Sequence, residues 1–273
     1  MFDEEIFTGG LTTALFGLGL LGPIAHRGGT PENTLTAIRN SKASGASGIE
    51  VDLAFTKDGY PVILHDDTVD RTSNGKGNIS DMTLEEARKL DFGIVFGHEF
   101  QNERIPTLQE TVELCKELDL LMFLELKSDR KEALDALQMI FKDRELYSRI
   151  AVISFLPHLL YKVRKAHPMA LMGYLLCPNL LVEWPDGSRD NRAWWKHVFN
   201  GVFDVLLYWS THLWLWRLLE IDVFLPSKED IMENRINPKW WHNLKIPLVT
   251  WTVNEAKVQV HFREGHICVD NTD

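Results

Sequence analysis

Residues 48–66 read Gly48-Ile-Glu50-Val-Asp52-Leu-Ala-Phe-Thr56-Lys57-Asp58-Gly59-Tyr-Pro61-Val-Ile-Leu-His65-Asp66. An apolar run carrying acids at alternate positions reads as a strand, because successive side chains point to opposite faces. Glu50 and Asp52 therefore share one face. The same design recurs on either side of this stretch. Upstream, Ile24-Ala25 runs into His26-Arg27-Gly28-Gly29; downstream, Phe123-Leu-Glu125-Leu-Lys127 places Glu125 and Lys127 on one face. Each strand ends in ionisable residues. Three carboxylates gathered inside a barrel are untenable unless a cation sits between them.

From Leu21 onward, strand-like runs alternate with helical patterns, the signature of a parallel sheet. Candidate strands cover 22–26, 48–53, 61–66, 121–126, 150–155, 170–176, 221–225 and 247–253, with 267–269 as a candidate ninth. Eight close a (β/α)8 TIM barrel, so the predicted class is α/β, with active-site residues at the C-terminal strand ends. The first helix is expected to have Thr30 as N-cap and Pro31 at N1, stopping before Gly45. Thr83-x-x-Glu86 and Thr107-x-x-Glu110 read as capping boxes opening helices at about 84–90 and 108–118. Two features make the barrel irregular. Between Leu53 and Pro61 there is no room for a crossover helix, and Lys57-Asp58-Gly59 is turn chemistry, so a hairpin-like excursion is expected. Residues 67–106 then form a connection long enough to be a small inserted subdomain, with Gly75, Gly77, Gly93 and Gly97 and one short helix.

Composition narrows the function classes. A chain of 273 residues with 45% apolar content buries one large core, and a net charge of −10 argues against nucleic acid as a partner. That charge also repels an anionic substrate at long range, so any attraction must be local. Cys115, Cys177 and Cys268 lie far apart with no CxxC spacing and suggest neither a zinc site nor a disulfide framework. The sequon Asn78-Ile79-Ser80 decides nothing by itself.

In order along the chain, His26-Arg27-Gly28, Pro31-Glu32-Asn33-Thr34, Glu50-x-Asp52, Thr56-Lys57-Asp58-Gly59, His65-Asp66, Asp70-Arg71-Thr72, Ile105-Pro106-Thr107-Leu108, Glu125-x-Lys127, Ser154-Phe155 and Trp251-Thr252-Val253-Asn254 resemble the glycerophosphodiester phosphodiesterases. The resemblance runs from about residue 23 to the end. Ser154-Phe155-Leu156-Pro157 and the Trp-Trp-Lys-His at 194–197 are most similar to its animal, membrane-associated members. By that resemblance the reaction is hydrolysis of a glycerophosphodiester to glycerol phosphate and an alcohol. The alternatives are a lysophospholipase D-type activity on membrane lipids, or a catalytically silent membrane-associated barrel. A closing helix is also expected after the last strand, whereas the sequence ends at Asp273.

Glu50, Asp52 and Glu125 are the candidate metal ligands, and oxygen-only donors select a hard divalent cation, Mg²⁺ or Ca²⁺. His26 and His65 each close a strand and titrate near neutral pH; the resemblance makes them the acid/base pair. It also assigns Arg27 and Lys127 to the substrate phosphate, although Lys127 has Glu125 as an alternative partner. Arg27, next to an inward His26, reaches that phosphate only if the chain turns at the strand end, which Gly28-Gly29 permits. Trp251 is a candidate to line the pocket against the alcohol, with core packing as the competing reading. Asp66 and Arg71 read as a supporting salt bridge, and Glu32 as a first-turn helix acid.

Residues 1–21 form an apolar N-terminal segment, uncharged from residue 6, preceding a barrel of 22–273. It reads as the stub of a membrane anchor, a plug for the barrel bottom or a misassigned start. Residues 194–226 hold five of the nine tryptophans, and Val205 to Trp216 carries no formal charge. Twelve residues cannot span a bilayer, which takes about 20. The segment reads either as a buried barrel helix or as an interfacial one that places the protein on a membrane surface.

Overall fold

The strand that carries Glu50 and Asp52 organises everything around it. A computed structural model describes residues 23–177, 194–251 and 267–270. Within them, β2 (Gly48–Phe55) lies parallel to β1 (Ile24–Ala25) on one side and to β4 (Leu121–Leu126) on the other. Beyond β4 follow β5 (Ile150–Ser154), β6 (Leu171–Leu176) and β7 (Val223–Pro226), all parallel. In the other direction β1 pairs with β9 (Ile267–Asp270), and β9 with β8 (Val249–Thr250). Parallel bridges Phe224–Leu248 and Ser227–Trp251 join β8 to β7, so the path returns on itself. The architecture is the expected α/β TIM barrel.

One stave differs from the expected count. The third strand, β3 (Pro61–Ile63), is antiparallel to β2, with Leu53 opposite Ile63, and stands outside the ring. Its place among the eight is taken by β9. The cause is the reversal at 56–60. Thr56 Oγ1 contacts Asp58 Oδ1 at 2.6 Å and accepts from the Tyr60 backbone N–H at 3.0 Å, and Gly59 takes φ 81°. A turn that tight delivers the chain antiparallel, and a parallel stave is then out of reach.

Alternation along the strands separates inside from outside. Ile24, Leu121, Phe123, Ile153, Val223 and Leu225 belong to the buried interior cluster, while Ile49, Val51, Leu124, Val152 and Met172 join the larger core shared with the helices. Gly173 faces inward, where an added Cβ would stand 2.6 Å from side-chain carbons of both Ile153 and Leu225. Only a hydrogen fits. Towards the C-terminal strand ends the inward positions change from apolar to Glu50, Asp52 and Glu125.

Helix α1 (Leu35–Ala43) begins four residues later than expected. Asn33 adopts φ 57°, which no first helical turn tolerates, so Thr34 becomes the N-cap and its hydroxyl accepts from the Ala37 N–H at 3.1 Å. The Thr30–Pro31 peptide is cis. Both capping boxes form, opening α2 (Leu84–Ala87) and α3 (Leu108–Glu117). Helices α4 (Lys131–Ile140) and α5 (Pro157–Ala166) are the crossovers after β4 and β5. Residues 67–106 close around a small core of their own, in which Val69, Ile79, Ala87 and Phe92 meet Leu64 and Ile105. Here Gly93 is obligatory, because a Cβ would lie 1.7 Å from the Phe100 carbonyl oxygen.

Helix α6 (Trp194–Ser210) continues through a π-helical turn (Thr211–Leu215) into α7 (Trp216–Leu218). Of the two readings, a helix buried all round is not what forms. Leu207, Tyr208 and Trp216 pack on the main core together with Trp240, in α9 (Pro238–Asn243), which follows α8 (Lys228–Met232). The opposite face is open: Phe199, Val202, Leu206, Trp209, Leu213 and Trp214 are all at least half exposed. Among the described residues no helix is long and apolar enough to cross a membrane. The apolar segment 1–21 and the Thr252-Val253-Asn254 part of the last motif lie outside the described residues.

Candidate active site

β1 ends in a 3-10 turn, His26–Gly28, where Arg27 takes φ 52° and ψ 29°. This left-handed turn is the feature that the glycines after it were expected to allow. It brings the Arg27 backbone N–H to Glu50 Oε2 at 2.9 Å and its guanidinium to Glu32 at 3.2 and 3.3 Å. His26 Nε2 stands 3.9 Å from Glu50 Oε2, and its Nδ1 is buried without a hydrogen-bond partner.

Glu50, Asp52 and Glu125 each offer a carboxylate oxygen, all within 4.8 Å of one another. Strand register achieves this, since Asp52 of β2 lies directly opposite Glu125 of β4. Lys127, the next inward residue on that side, puts its ammonium 2.9 Å from Asp52 Oδ1 and donates to the His65 carbonyl oxygen at 2.8 Å. Lys127 was predicted to have Glu125 or phosphate as partner; its carboxylate partner is Asp52. Asn33 donates to Asp52 Oδ2 at 3.0 Å. Sequence reasoning did not single out Asn33. Its signal was its place in Pro31-Glu32-Asn33-Thr34 and the tolerance of Asn for positive φ.

Electrostatics split the three acids. Burial, with repulsion from Asp52 and Glu125, pushes the Glu50 carboxyl well above its ordinary range. Burial and the Asp52 charge push Glu125 up to about 8 against the pull of Lys127. Burial opposes ionisation of Asp52 too, but Lys127, His65 and Arg27 together hold it well below the usual carboxylate range. Burial likewise works against the Lys127 charge, yet Asp52 and Glu125 keep its affinity for a proton high. A pocket in which one ammonium faces three carboxylates is short of positive charge. The donor set is all oxygen and deeply placed, and it fits a hard divalent cation.

His65 follows β3 in a bend, half-buried. Its Nδ1 meets Asp66 Oδ1 at 2.6 Å. Asp66 is held near about 2: burial raises it, and hydrogen bonds from Arg71 and His65 outweigh that. Arg71 in turn reaches Glu32. Glu32 was expected as a first-turn helix acid; it sits ahead of α1 and bridges two arginines. Burial and neighbouring cations lower both histidines, His26 down to about 4. Trp251 donates its indole N–H to the Leu225 carbonyl at 3.1 Å and stands edge-on to Phe155, ring centres 5.9 Å apart. It packs on the apolar interior and is half-buried.

An eight-stave barrel with acids, histidines and cations gathered at its C-terminal mouth defines a hydrolase-type site. A profile of the glycerophosphoryl diester phosphodiesterase family matches residues 25–172. The chain is 39% identical to glycerophosphodiester phosphodiesterase 1 of Bos taurus over 250 residues, covering 89% of this chain and 75% of that protein. The Homo sapiens protein of the same name is 38% identical over the same shares. The chain therefore belongs to the glycerophosphoryl diester phosphodiesterase family and is an enzyme of that class. Among solved structures, an Oleispira antarctica phosphodiesterase, in complex with sn-glycerol-3-phosphate, superposes with a TM-score of 0.69 at 23% identity, covering 92% of each chain. A glycerophosphodiester phosphodiesterase of Agrobacterium tumefaciens gives 0.68 at 18% identity, covering 92% of this chain and 95% of that one. At these identities the likeness is one of fold.

Proposed function

We propose that the chain hydrolyses glycerophosphodiesters to glycerol phosphate and an alcohol by acid–base catalysis between His26 and His65. The observation that carries the reading is the triad of carboxylate oxygens within 4.8 Å, flanked by His26 and Arg27 at one strand end and by Lys127 at another. Glu50, Asp52 and Glu125 would hold a divalent cation, Mg²⁺ or Ca²⁺. When bound, such a cation supplies Lewis-acid polarisation of the phosphoryl group.

The residues of the chain do the rest. His26, kept neutral by burial and by Arg27, takes the proton from the glycerol 2-hydroxyl. The new bond joins that oxygen to phosphorus, and the bond from phosphorus to the other alcohol breaks. His65, whose Nδ1 rests on the Asp66 carboxylate, gives its proton to the departing oxygen; burial, Lys127 and Arg27 work against its charged form, and Asp52 and Asp66 favour it. Water then opens the cyclic phosphate with the two roles exchanged. An internal nucleophile has a large effective-molarity advantage over water. Arg27 and Lys127 supply the fixed positive charge that the phosphoryl oxygens meet in the transition state.

A second reading concerns where the reaction happens. The exposed stripe Phe199, Val202, Leu206, Trp209 and Leu213 repeats at helical spacing, and among exposed residues from 199 to 218 Arg217 alone is charged. Such a face suits the headgroup boundary of a membrane, with Trp209 and Trp214 at interfacial depth. It favours association with a membrane surface and keeps lysophospholipids among the substrates. Product analysis of the purified protein on glycerophosphodiesters and lysophospholipids, with and without chelator, tests both. The expected result is cation-dependent release of glycerol phosphate. Full turnover in chelator, or no hydrolysis of any glycerophosphodiester, overturns the proposal.

A further inference from the structure

Arg71 lies outside the carboxylate–histidine set, in the first turn of the insertion, and its side chain is 46% exposed. Its guanidinium nevertheless grips two carboxylates at once. Nε donates to Asp66 Oδ2 at 2.7 Å and Nη2 to Asp66 Oδ1 at 3.0 Å. On its other edge, Nη1 donates to Glu32 Oε2 at 2.7 Å and Nη2 to Glu32 Oε1 at 2.8 Å. Each carboxylate holds a second group. Asp66 takes the Nδ1 side of His65, and Glu32 takes the guanidinium of Arg27. His65 and Arg27 arrive on different segments, one after β3 and one after β1. Through these two carboxylates Arg71 ties the side chain of His65 to that of Arg27.

We infer that Arg71 is a positioning residue, a clamp that sets His65 and Arg27 at a fixed separation through Asp66 and Glu32. The inference rests on the proposed roles of His65 and Arg27. A plain brace between insertion and barrel is the competing account. A bidentate network can brace as well as position, and a brace would show as loss of activity in step with loss of stability. What two bidentate contacts on one planar fork contribute beyond that is geometry. A fork that meets both carboxylates in-plane fixes distance and orientation together, and misplacement of a catalytic group by about 1 Å costs on the order of a hundredfold in rate.

The test compares Arg71→Ala, Arg71→Lys, Asp66→Asn, Glu32→Gln and His65→Ala, with the double variant Arg71→Ala/Asp66→Asn. Substrates are the glycerol phosphodiesters of choline, a poor leaving group, and of para-nitrophenol, an acidic one. Melting curves accompany every variant. Asp66→Asn is expected to lower kcat about tenfold or more on the choline ester and much less on the nitrophenyl ester. Glu32→Gln is expected to act mainly on KM, for both esters alike. Arg71→Ala should show both signatures, Arg71→Lys should not rescue them, and all should melt within a few degrees of the parent. In the double variant the Asp66→Asn effect should shrink severalfold, because the contact it removes is already gone. The clamp is overturned if Arg71→Ala keeps kcat/KM within about twofold, if Arg71→Lys restores it, or if losses are equal on both esters and track melting. Strict additivity in the double variant also overturns it. If instead His65→Ala shows no dependence on the leaving group, it is the acid role of His65 that fails, and the clamp then fails with its His65 arm.

Discussion

Replacing Glu125 by Gln should stabilise the cation-free protein, increasingly as pH rises from about 4.5 to about 8. Its carboxyl is moved from an ordinary 4.5 to about 8 in the folded state, by burial and by the Asp52 charge. Below pH 4.5 the group is protonated whether the chain is folded or not, and it costs nothing. Between 4.5 and about 8 the folded state holds the proton more tightly than the unfolded one, so stability falls as pH rises. Above about 8 the full cost is present, on the order of 5 kcal/mol as a ceiling, since about 1.4 kcal/mol attaches to each pH unit. Proton sharing with Glu50 and relaxation of the pocket reduce that figure. Half of it would still move the melting temperature by roughly 5–10 °C for a domain of this size. The assay is a set of melting curves from pH 5 to 9 in chelator, for parent and variant. The two should coincide near pH 5 and diverge upward, with the variant higher at pH 8.5. Adding Mg²⁺ or Ca²⁺ should raise the parent and leave the variant nearly unmoved. Parallel curves at every pH would refute the carboxylate-repulsion argument.

The other predictions follow from the same geometry. Glu50→Gln and Asp52→Asn should each abolish cation-dependent turnover, and a variant active at parental rate with added cation would remove that residue from the ligand set. His65→Ala should lose at least about a hundredfold in kcat on an ester of a poor leaving alcohol and recover on one with an acidic alcohol; a loss below tenfold contradicts its role. Replacing Trp209, Leu213 and Trp214 together by Ser should release the protein from liposomes without lowering its melting temperature appreciably, since all three are exposed; retained flotation would clear this face of membrane contact. Trp241→Ala should cost roughly 3–5 kcal/mol, because that ring is fully buried and stacked on Phe224 at 4.0 Å. A melting curve within two degrees of the parent would show that the stack contributes little.

What the sequence disclosed of this site followed from alternation. Glu50 and Asp52, or Glu125 and Lys127, share a face by the geometry of any strand, so their convergence needed only the barrel. Which cation meets which acid was not legible, because it depends on register: Asp52 lies opposite Glu125, and Lys127 crosses to Asp52. The bridging of Glu32 was hidden for a similar reason. It depends on where the insertion sets Arg71, and no local pattern records a contact between residues 39 positions apart. Thr30 offered a good N-cap signal and lost to Thr34, since Asn33 at φ 57° decides where helical geometry can begin. The two faces of α6 shared too many aromatics for periodicity to say which was covered.

β1 is two residues long, and its two neighbours lie at very different sequence distances: β2 close by, β9 far off at residues 267–270. The seat of His26 is therefore finished late. On a ribosome, the strand leading into that histidine must wait until Val269 has emerged before the two can sit side by side. Joining positions so distant in sequence carries a loop-closure cost that makes this pairing a late step in folding. A nascent chain thus gathers its carboxylates, which β2 and β4 supply, well before it can hold His26 against them. The proposed proton transfer at His26 therefore depends on a pairing that forms late, and loosening β9 should cost activity before it parts β2 from β4.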